Sequence, residues 1–332
     1  MEQIKTGVIG LGRMGKHHCR VYANQKGAQL VGVYDIDPLK TIEISTKYEI
    51  PGYQQVEDLL EQVDAVTIAT PTPTHFELVR RCLDYNVHVL VEKPVTETLE
   101  NAEELARLVD DCSLIVQVGH IERFNPTFLE LKKVMESIKV LAISFRRLSP
   151  YKVSNKDVDV VLDLMVHDLD LCLDLTSGEP ASISAYGLMP FSDSLDHVVA
   201  QLFYCGGPLI TLTASRVTEE KIRAVEVTCQ EAFIEADFLN KNINIHRCST
   251  GEYFANNHSG VKYQQESLIQ RILVPNSEPL ELEINHFLAC ISNHSTPCVS
   301  IIEGLNALRL AQHIRNLVNK QNLEFAVQAL AA

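Results

Sequence analysis

A glycine-rich turn near the start of the chain has the spacing of a phosphate-binding turn. Gly10, Gly12 and Gly15 follow the short apolar run Val8-Ile9 and open a segment compatible with a helix. In such a turn the first glycine permits the sharp bend, the second lets the backbone approach a pyrophosphate, and the third lets helix pack on strand. The helix N-terminus adds N–H donors and the positive end of a dipole. The pattern predicts a dinucleotide-binding turn.

An acidic residue follows where a bound dinucleotide would place its adenosine ribose. The apolar run 29–34 ends in Asp35, at about the 20-residue separation typical of this motif. An acid there would hydrogen-bond the ribose hydroxyls and repel a 2′-phosphate, and neither Ile36 nor Asp37 offers that phosphate a positive charge. We therefore expect the cofactor to be NAD. The expected cofactor contacts in this region are Gly10, Gly12, Arg13, Met14, Gly15, Asp35 and Ile36.

The segment Glu92-Lys93-Pro94 comes directly after an apolar run that reads as a buried parallel strand. Open α/β sheets bind ligands at the carboxyl ends of such strands. An ammonium group at this place could polarise a hydroxyl or carbonyl, and the pKa of a lysine falls readily on burial. The alternative is a surface lysine paired with Glu92. The sequence alone favours that alternative for an isolated lysine.

A second candidate pair lies on a predicted helix at about 160–175. Asp163 and His167 are four residues apart and therefore share one face. A carboxylate one turn away can orient an imidazole and raise its pKa, which suits a general base near neutrality. The alternative is a plain solvated stripe, because Asp170 and Asp174 continue the same face. The spacing leaves both interpretations open.

The elements that must position these residues fall into two domains. Up to residue 121, near-continuous apolar runs alternate with helical patterns, as expected for parallel strands covered on both faces. We predict a doubly wound parallel sheet of the Rossmann type for residues 1–121, the NAD-binding domain. The fold class is therefore α/β in this half of the chain.

Residues 122–332 are predicted to form a substrate-binding and oligomerisation domain of α+β type. Runs at 198–204, 209–216, 222–229 and 232–239 are joined by short turns, which suits an open, mostly antiparallel sheet. Along 210–215 apolar residues alternate with small hydroxyl residues. One face could therefore cover helices while the other meets a second copy. We expect a homo-oligomer, a dimer or tetramer, formed through this sheet.

Basic residues cluster around the junction between the two predicted domains. They are Arg123, Arg146, Arg147 and Lys152. Guanidinium groups suit a diphosphate, because they form bidentate hydrogen bonds. The alternative for any one of them is a solvated charge at a helix start or strand end.

Composition limits the classes of function. The chain has 332 residues, 46% of them hydrophobic, and a net charge of −14, which is typical of a globular protein and disfavours binding to nucleic acid or anionic membranes. The N-terminus lacks the pattern of a signal peptide, and no apolar run is long enough to span a bilayer. We expect a cytoplasmic protein. The nine cysteines and twelve histidines show no metal-ligand spacing, so no metal site is expected.

These motifs together resemble the Gfo/Idh/MocA oxidoreductase family over nearly the whole chain. The resemblance is carried by Gly10-x-Gly12-x-x-Gly15, by Ala69-Thr70-Pro71-Thr72 before His75, by Glu92-Lys93-Pro94, and by Asp163-x-x-x-His167. It implies that Lys93 and His167 lie at the nicotinamide and the substrate hydroxyl. It also implies further cofactor contacts from Thr70, Pro71, Thr72, His75, Glu92 and Lys93.

Three segments resemble more narrowly the UDP-N-acetylglucosamine 3-dehydrogenases. They are residues 119–126, 146–151 and 163–170. In that group NAD oxidises the C3 hydroxyl of the sugar to a 3-keto sugar. The resemblance implies a nucleotide-sugar substrate and contacts to it from Lys93, Arg123, Asn125, Arg147, Tyr151, Asp163 and His167.

The expected activity is therefore that of an NAD-dependent sugar dehydrogenase. In the expected mechanism His167, oriented by Asp163, removes the hydroxyl proton while Lys93 stabilises the developing alkoxide; which of Lys93 and His167 is the formal base stays open. One alternative is a dehydrogenase of a free polyol or aldose such as inositol, which would not need the basic cluster. Another is a non-catalytic dinucleotide-sensing regulator, which would need neither Lys93 nor His167.

Overall fold

The computed structural model describes residues 3–151, 158–176, 178–254 and 261–331. The chain divides into two compact units. The first unit contains Met1–Phe124 and Ser277–Arg309, and the second contains Asn125–Asn276 and Leu310–Ala332. Each unit is described separately below.

The first unit is built on a five-stranded parallel sheet. The strands, β1 (Ile4–Ile9), β2 (Ala28–Tyr34), β3 (Ala65–Ile68), β4 (His88–Glu92) and β5 (Val116–Gly119), lie in the order β2-β1-β3-β4-β5. The helices between them are α1 (Arg13–Tyr22), α2 (Pro38–Tyr48), α3 (Val56–Leu60), α4 (His75–Asp84) and α5 (Leu99–Asp110). Every residue of β3 is buried, because helices cover both faces of the sheet. The predicted doubly wound parallel sheet is confirmed.

A helix from late in the chain also packs in the first unit. In α8 (Pro279–Asn293) the residues Leu280, Ile284 and Phe287 are spaced along one face. They are buried in the same apolar cluster as Leu11, which belongs to the glycine turn. Burial of this stripe therefore stabilises the part of the unit that carries the turn.

The units do not coincide with the predicted domain limits of 1–121 and 122–332. Ser277–Arg309 belong to the first unit, whereas the sequence placed them in the second domain. The reason is that α8 finds its apolar partners far away in sequence, and a linear pattern does not contain that information. As a division of function, the predicted limits stay a prediction.

The second unit is built on an eight-stranded sheet. Its strands are β6 (Val140–Leu148), β7 (Ser182–Leu188), β8 (His197–Phe203), β9 (Leu209–Ser215), β10 (Ile222–Cys229), β11 (Phe233–Asp237), β12 (Asn242–Phe254) and β13 (Val261–Ile272). They lie in the order β13-β12-β11-β10-β6-β9-β8-β7. Every pairing is antiparallel except that of β6 with β9. The predicted open, mostly antiparallel sheet is confirmed.

One face of this sheet is covered by helices and the other is open in the described chain. In β9, Ile210 and Leu212 are buried in a cluster with residues of α6 (Pro126–Met135) and α7 (Val166–Leu175). Thr211 between them is only half-buried. The predicted alternation of apolar and hydroxyl residues therefore matches a covered and an uncovered face.

The helix that carries Asp163 and His167 begins with an irregular turn. Residues Val161–Met165 form a π-helical turn, which continues into α7. The carboxylate of the buried Asp159 accepts hydrogen bonds from the backbone N–H groups of Val161 at 2.9 Å and Leu162 at 3.1 Å. Asp159 therefore caps the helix N-terminus. Its second oxygen forms an ion pair with Nε of Arg315 at 2.6 Å, on α9 (Ile301–Ala331).

Two kinds of feature are absent from the described part of the chain. None of its helices combines the length and the apolar character needed to cross a membrane. Among the same residues, no group of three or more histidine, cysteine or acidic side chains is arranged to hold a metal ion.

The cap at Asp159 generates a stability prediction. Asp159→Ala removes both hydrogen bonds and the partner of Arg315, so we expect a loss of about 1–2 kcal/mol of folding free energy. Asp159→Asn keeps an oxygen acceptor and is expected to lose less. Thermal unfolding of the two variants beside the wild type measures this order. Equal melting temperatures for wild type and Asp159→Ala would show that the cap contributes nothing.

Candidate functional site

The glycine turn after β1 leaves no room for a side chain at two of its three glycines. Gly10 has a φ of +89°, and a Cβ atom there would lie 2.7 Å from the carbonyl oxygen of Ala69. A Cβ at Gly15 would lie 1.8 Å from the carbonyl oxygen of Gly10. Around Gly12, in contrast, a Cβ would meet nothing within 4 Å. The turn is therefore tightly packed at Gly10 and Gly15 and open at Gly12, as a phosphate-binding turn requires.

The N-terminus of α1 fits a pyrophosphate. Gly12 is its N-cap, no side chain caps it, and its first turn contains no acidic residue. Its N–H groups therefore keep donor capacity for an anion. The strand order reverses between β1 and β3, which is the switch point where such sheets bind ligands. The predicted contacts of Arg13 and Met14 with the cofactor stay predictions.

Asp35 is held at the end of β2 beside the glycine turn. Its carboxylate accepts hydrogen bonds from the backbone N–H groups of Leu11 at 2.6 Å and Asp37 at 2.8 Å. Nζ of Lys40 lies 3.8 Å from the same carboxylate. Ile36 is 90% exposed and so has a side chain available to a bound ligand. The predicted ribose contact of Asp35 stays a prediction, and Lys40 is a charge that the sequence analysis missed.

His75 joins the loop after β3 to the loop after β4. Its ring is 1% exposed, Nε2 lies 2.9 Å from the carbonyl oxygen of Thr70, and Nδ1 lies 3.0 Å from that of Pro94. Burial lowers the pKa of His75 below its usual range. Thr70, Pro71 and Thr72 form the loop that it holds, and a short turn at Thr72–Thr74 follows. His75 thus connects these two loops, and its predicted contact with the cofactor stays a prediction.

Glu92 has a buried partner on α1. Its Oε1 lies 3.0 Å from Nε2 of His18, which is fully buried. Nδ1 of His18 lies 3.4 Å from the hydroxyl of Thr67, which is 2.9 Å from the hydroxyl of Tyr22. Burial raises the pKa of Glu92, but the hydrogen bond and charge of His18 outweigh it and hold that pKa below its usual range.

The arrangement around Glu92 bears on the two interpretations of Lys93. The surface-pair interpretation required Glu92 to be an exposed partner for the lysine. Glu92 bonds to the buried His18, and both Glu92 and Lys93 are half-buried. The peptide bond between Lys93 and Pro94 is cis. The geometry therefore favours a lysine held at the carboxyl edge of the sheet.

The polar face of α7 is not a solvated stripe. Asp170 is fully buried, and Asp174 pairs with Lys132 at 2.8 Å. Asp163 and His167 are half-buried, and Asp163 lies in the π-helical turn, a feature frequent at functional sites. The structure therefore disfavours the interpretation of Asp163 and His167 as part of a solvated stripe. Lys93 belongs to the first unit, and Asp163 and His167 belong to the second.

Arg147 forms a buried ion pair with Asp168 within the second unit. Its Nε lies 2.9 Å from each carboxylate oxygen of Asp168, and its Nη2 lies 2.6 Å from Oδ1. Both side chains are almost fully buried. This bidentate pair uses the face of the guanidinium group that a diphosphate would need. The predicted diphosphate contact of Arg147 stays a prediction, and the geometry disfavours it.

The other predicted substrate residues lie in a short turn, at a helix start and on β6. Arg123 is 8% exposed in the short turn Ile121–Phe124. The side-chain oxygen of Asn125 accepts a hydrogen bond from the N–H of Thr127 at 3.0 Å and caps α6. Arg146 pairs with Glu226 at 2.9 Å and is half-exposed. Lys152 lies outside the described residues.

Tyr151 is fixed by a cluster that the sequence analysis missed. Arg216 lies with Cζ 6.0 Å from the Tyr151 ring centroid, and its Nε bonds to Asp196 at 2.6 Å. Phe191 packs against the same ring, with centroids 5.0 Å apart. Burial raises the pKa of Asp196, but the N–H of Phe191 and the Arg216 guanidinium outweigh it and lower the pKa. No spacing in the sequence signals this cluster, because its members come from separate strands and loops.

Comparisons with known proteins agree with this geometry. Residues 4–120 match the model of the oxidoreductase family with an NAD-binding Rossmann fold, and residues 144–235 match the C-terminal domain of Gfo/Idh/MocA proteins. A UDP-N-acetylglucosamine 3-dehydrogenase from Acidithiobacillus ferrooxidans is 33% identical, over 95% of this chain and 97% of its own length. A scyllo-inositol 2-dehydrogenase (NAD(+)) from Bacillus subtilis is 25% identical, over 91% and 90%.

A solved structure is also similar to this chain along nearly its whole length. The crystal form of the Acidithiobacillus ferrooxidans UDP-N-acetylglucosamine 3-dehydrogenase superposes with a TM-score of 0.86 at 32% identity, covering 96% of this chain and 98% of that chain. Full-length similarity at this level covers both the Rossmann sheet and the open sheet. The chain belongs to the Gfo/Idh/MocA family of NAD-binding oxidoreductases.

Proposed function

We propose that this oxidoreductase uses NAD to oxidise a secondary sugar hydroxyl, at C3 of UDP-N-acetylglucosamine, to the 3-keto sugar. The observation that carries the proposal is the likeness to a UDP-N-acetylglucosamine 3-dehydrogenase along nearly the whole of both chains. The half-buried Lys93 at the carboxyl edge of the NAD-binding sheet supports it. When bound, NAD accepts the hydrogen of the oxidised carbon as hydride.

The proposal assigns the proton chemistry to Lys93 and His167. His167 removes the hydroxyl proton, with Asp163 one turn away to orient its ring. The ammonium of Lys93 stabilises the alkoxide as it develops. Because the two groups act on one proton, their ionisations belong to the pair, and the formal base is not assigned to either alone.

A second candidate function is oxidation of a free polyol such as inositol. Two observations favour it. The chain is similar to a scyllo-inositol 2-dehydrogenase, and Arg147, which was expected to bind a diphosphate, forms an ion pair with Asp168. The nucleotide-sugar proposal therefore relies on Arg123 for the diphosphate, with Asn125 and Tyr151 beside the sugar. A non-catalytic dinucleotide sensor, the remaining alternative, is disfavoured because the similar proteins are dehydrogenases.

The proposal includes a homo-oligomer formed through the open face of the eight-stranded sheet. Tyr186, Leu188, Phe203 and Leu209 expose apolar side chains on β7, β8 and β9. Covering such a surface with a second copy would remove it from water. The proposed oligomer is a dimer or tetramer, and the proposed location is the cytoplasm.

Lys93 and His167 generate the first activity prediction. Lys93→Met is expected to lower kcat by roughly 10²- to 10⁴-fold, the range for a positioned electrostatic or proton-transfer group. NADH should bind as in the wild type, because the glycine turn and Asp35 hold it. His167→Asn should behave likewise. Steady-state kinetics and fluorescence titration with NADH measure both effects.

A matched control for these variants is Lys133→Met, since Lys133 is an exposed lysine paired with Glu130. It is expected to keep wild-type kcat. Wild-type turnover in Lys93→Met would contradict the proposed mechanism. Near wild-type turnover in His167→Asn, with an unchanged pH profile, would leave Lys93 as the sole catalytic candidate.

The substrate class generates a second prediction. Arg123→Met is expected to raise the KM for the nucleotide sugar by roughly 10-fold or more, the effect of losing a charge-assisted hydrogen bond. The KM for NAD should change little, and UDP should inhibit competitively with the sugar. Arg309→Met is the control, because Arg309 is a half-exposed arginine of the same unit. Absence of UDP inhibition at millimolar levels would favour the free polyol.

Asp35 and Lys40 generate a third prediction. The wild type should prefer NAD over NADP. Asp35→Asn should reduce the preference, measured as kcat/KM with NAD divided by kcat/KM with NADP, by about 10-fold or more, because a charge that repels the 2′-phosphate is removed. In that background Lys40→Met should lower the efficiency with NADP, since the ammonium near Asp35 would face a 2′-phosphate. Lys47→Met on the same helix is the control. Equal efficiencies with the two cofactors in the wild type would contradict this account.

A further inference from the structure

We propose that two buried histidines, His18 and His75, are positioning residues that hold the Glu92-Lys93-Pro94 segment from opposite ends and so fix the base of the Lys93 side chain. The inference rests on the catalytic role proposed for Lys93. It assigns a task to two side chains that the proposed proton chemistry does not use.

His18 holds the N-terminal end of the segment. Its ring is fully buried on α1, and Nε2 lies 3.0 Å from Oε1 of Glu92. A carboxylate accepts hydrogen bonds and does not donate them, so Nε2 must carry a proton towards Glu92. The hydroxyl of Thr67 lies 3.4 Å from the other ring nitrogen. The contact therefore joins the first turns of α1 to the end of β4.

The carboxylate of Glu92 connects His18 to the backbone of Lys93. It also accepts a hydrogen bond from the backbone of Lys93. On its other side lies Gly119 of β5, where an added Cβ atom would be 3.3 Å from Oε2 of Glu92. The carboxylate is thus confined between His18, the Lys93 backbone and the neighbouring strand. A buried charge confined in this way loses its stabilisation if one partner is removed.

His75 holds the C-terminal end of the segment. Nδ1 lies 3.0 Å from the carbonyl oxygen of Pro94, and Nε2 lies 2.9 Å from that of Thr70. The ring is 1% exposed. Because both partners are carbonyl acceptors, the ring bridges two loops that follow neighbouring strands. Pro94 therefore cannot shift without moving the loop after β3.

The two histidines fix the backbone on each side of Lys93. A long lysine side chain has many rotamers, and a mobile backbone would multiply the positions of its ammonium group. A catalytic group works when its supports hold it close to the productive geometry. Loss of either histidine should therefore reduce the rate of the chemical step more than it reduces binding.

His18→Leu and His18→Gln test the inference. Leucine cannot donate to Glu92, whereas the amide of glutamine reaches about as far as Nε2 and can donate. We expect His18→Leu to lower kcat at least 10-fold, with the affinity for NADH and the KM for the sugar changed less than 3-fold. His18→Gln should recover most of kcat. His75→Phe, which keeps the ring and removes both nitrogens, should resemble His18→Leu.

His88→Leu is the matched control. His88 lies at the other end of β4, where Nδ1 accepts a hydrogen bond from the N–H of Ile115 at 2.9 Å. The variant loses a hydrogen bond from the same strand, so thermal stability should fall while kcat stays near wild type. If His18→Leu does not fold, Glu92→Gln keeps the side-chain shape without its charge and is expected to show the same loss of kcat.

A double-mutant cycle separates positioning from general damage. If His18 acts through Lys93, then His18→Leu should cause no further loss of the residual turnover of Lys93→Met. Additive losses, or a loss of kcat matched by an equal loss of NADH affinity and stability, would overturn the inference. Wild-type kcat in His18→Leu would overturn it as well. Wild-type turnover in Lys93→Met would instead overturn the proposed function.

Discussion

The largely buried carboxylate of Glu92, at the end of a parallel strand, is the constraint on which the candidate site depends. A charge in that position needs a donor, and His18 supplies one at 3.0 Å from α1. The same helix begins at the glycine turn, so one contact ties the end of β4 to the phosphate cradle. His75 adds a tie between the loops after β3 and β4. The cofactor edge is thus held together by buried polar contacts beneath it.

The second unit uses buried ion pairs in the same way. Asp168 holds Arg147 on β6, and Asp159 caps the π-helical turn that carries Asp163. Such pairs contribute little net stability compared with apolar packing, but each becomes costly when one partner is lost. They fix the direction of α7 and hence of His167. In the proposed function these contacts orient the residues assigned to catalysis.

The sequence predicted features that depend on local pattern and missed those that depend on distant partners. The glycine spacing and the apolar strands identified the first sheet, because each signal lies within one segment. Strands β12 and β13 were missed, since their many polar residues give no apolar run. The buried pairing of Arg147 with Asp168 on α7 was also missed, because such a partner cannot be read from spacing. The contact of His18 with Glu92 was missed for the same reason.

The central claim is that NAD takes the hydrogen from C3 of a nucleotide sugar. The most direct test is to incubate the enzyme with NAD and UDP-N-acetylglucosamine that carries deuterium at C3, with labelled inositol in parallel, and to analyse the reduced cofactor by mass spectrometry. The account predicts that deuterium from the nucleotide sugar appears in the reduced nicotinamide and that the product is the 3-keto sugar. Label transfer from inositol alone would contradict it.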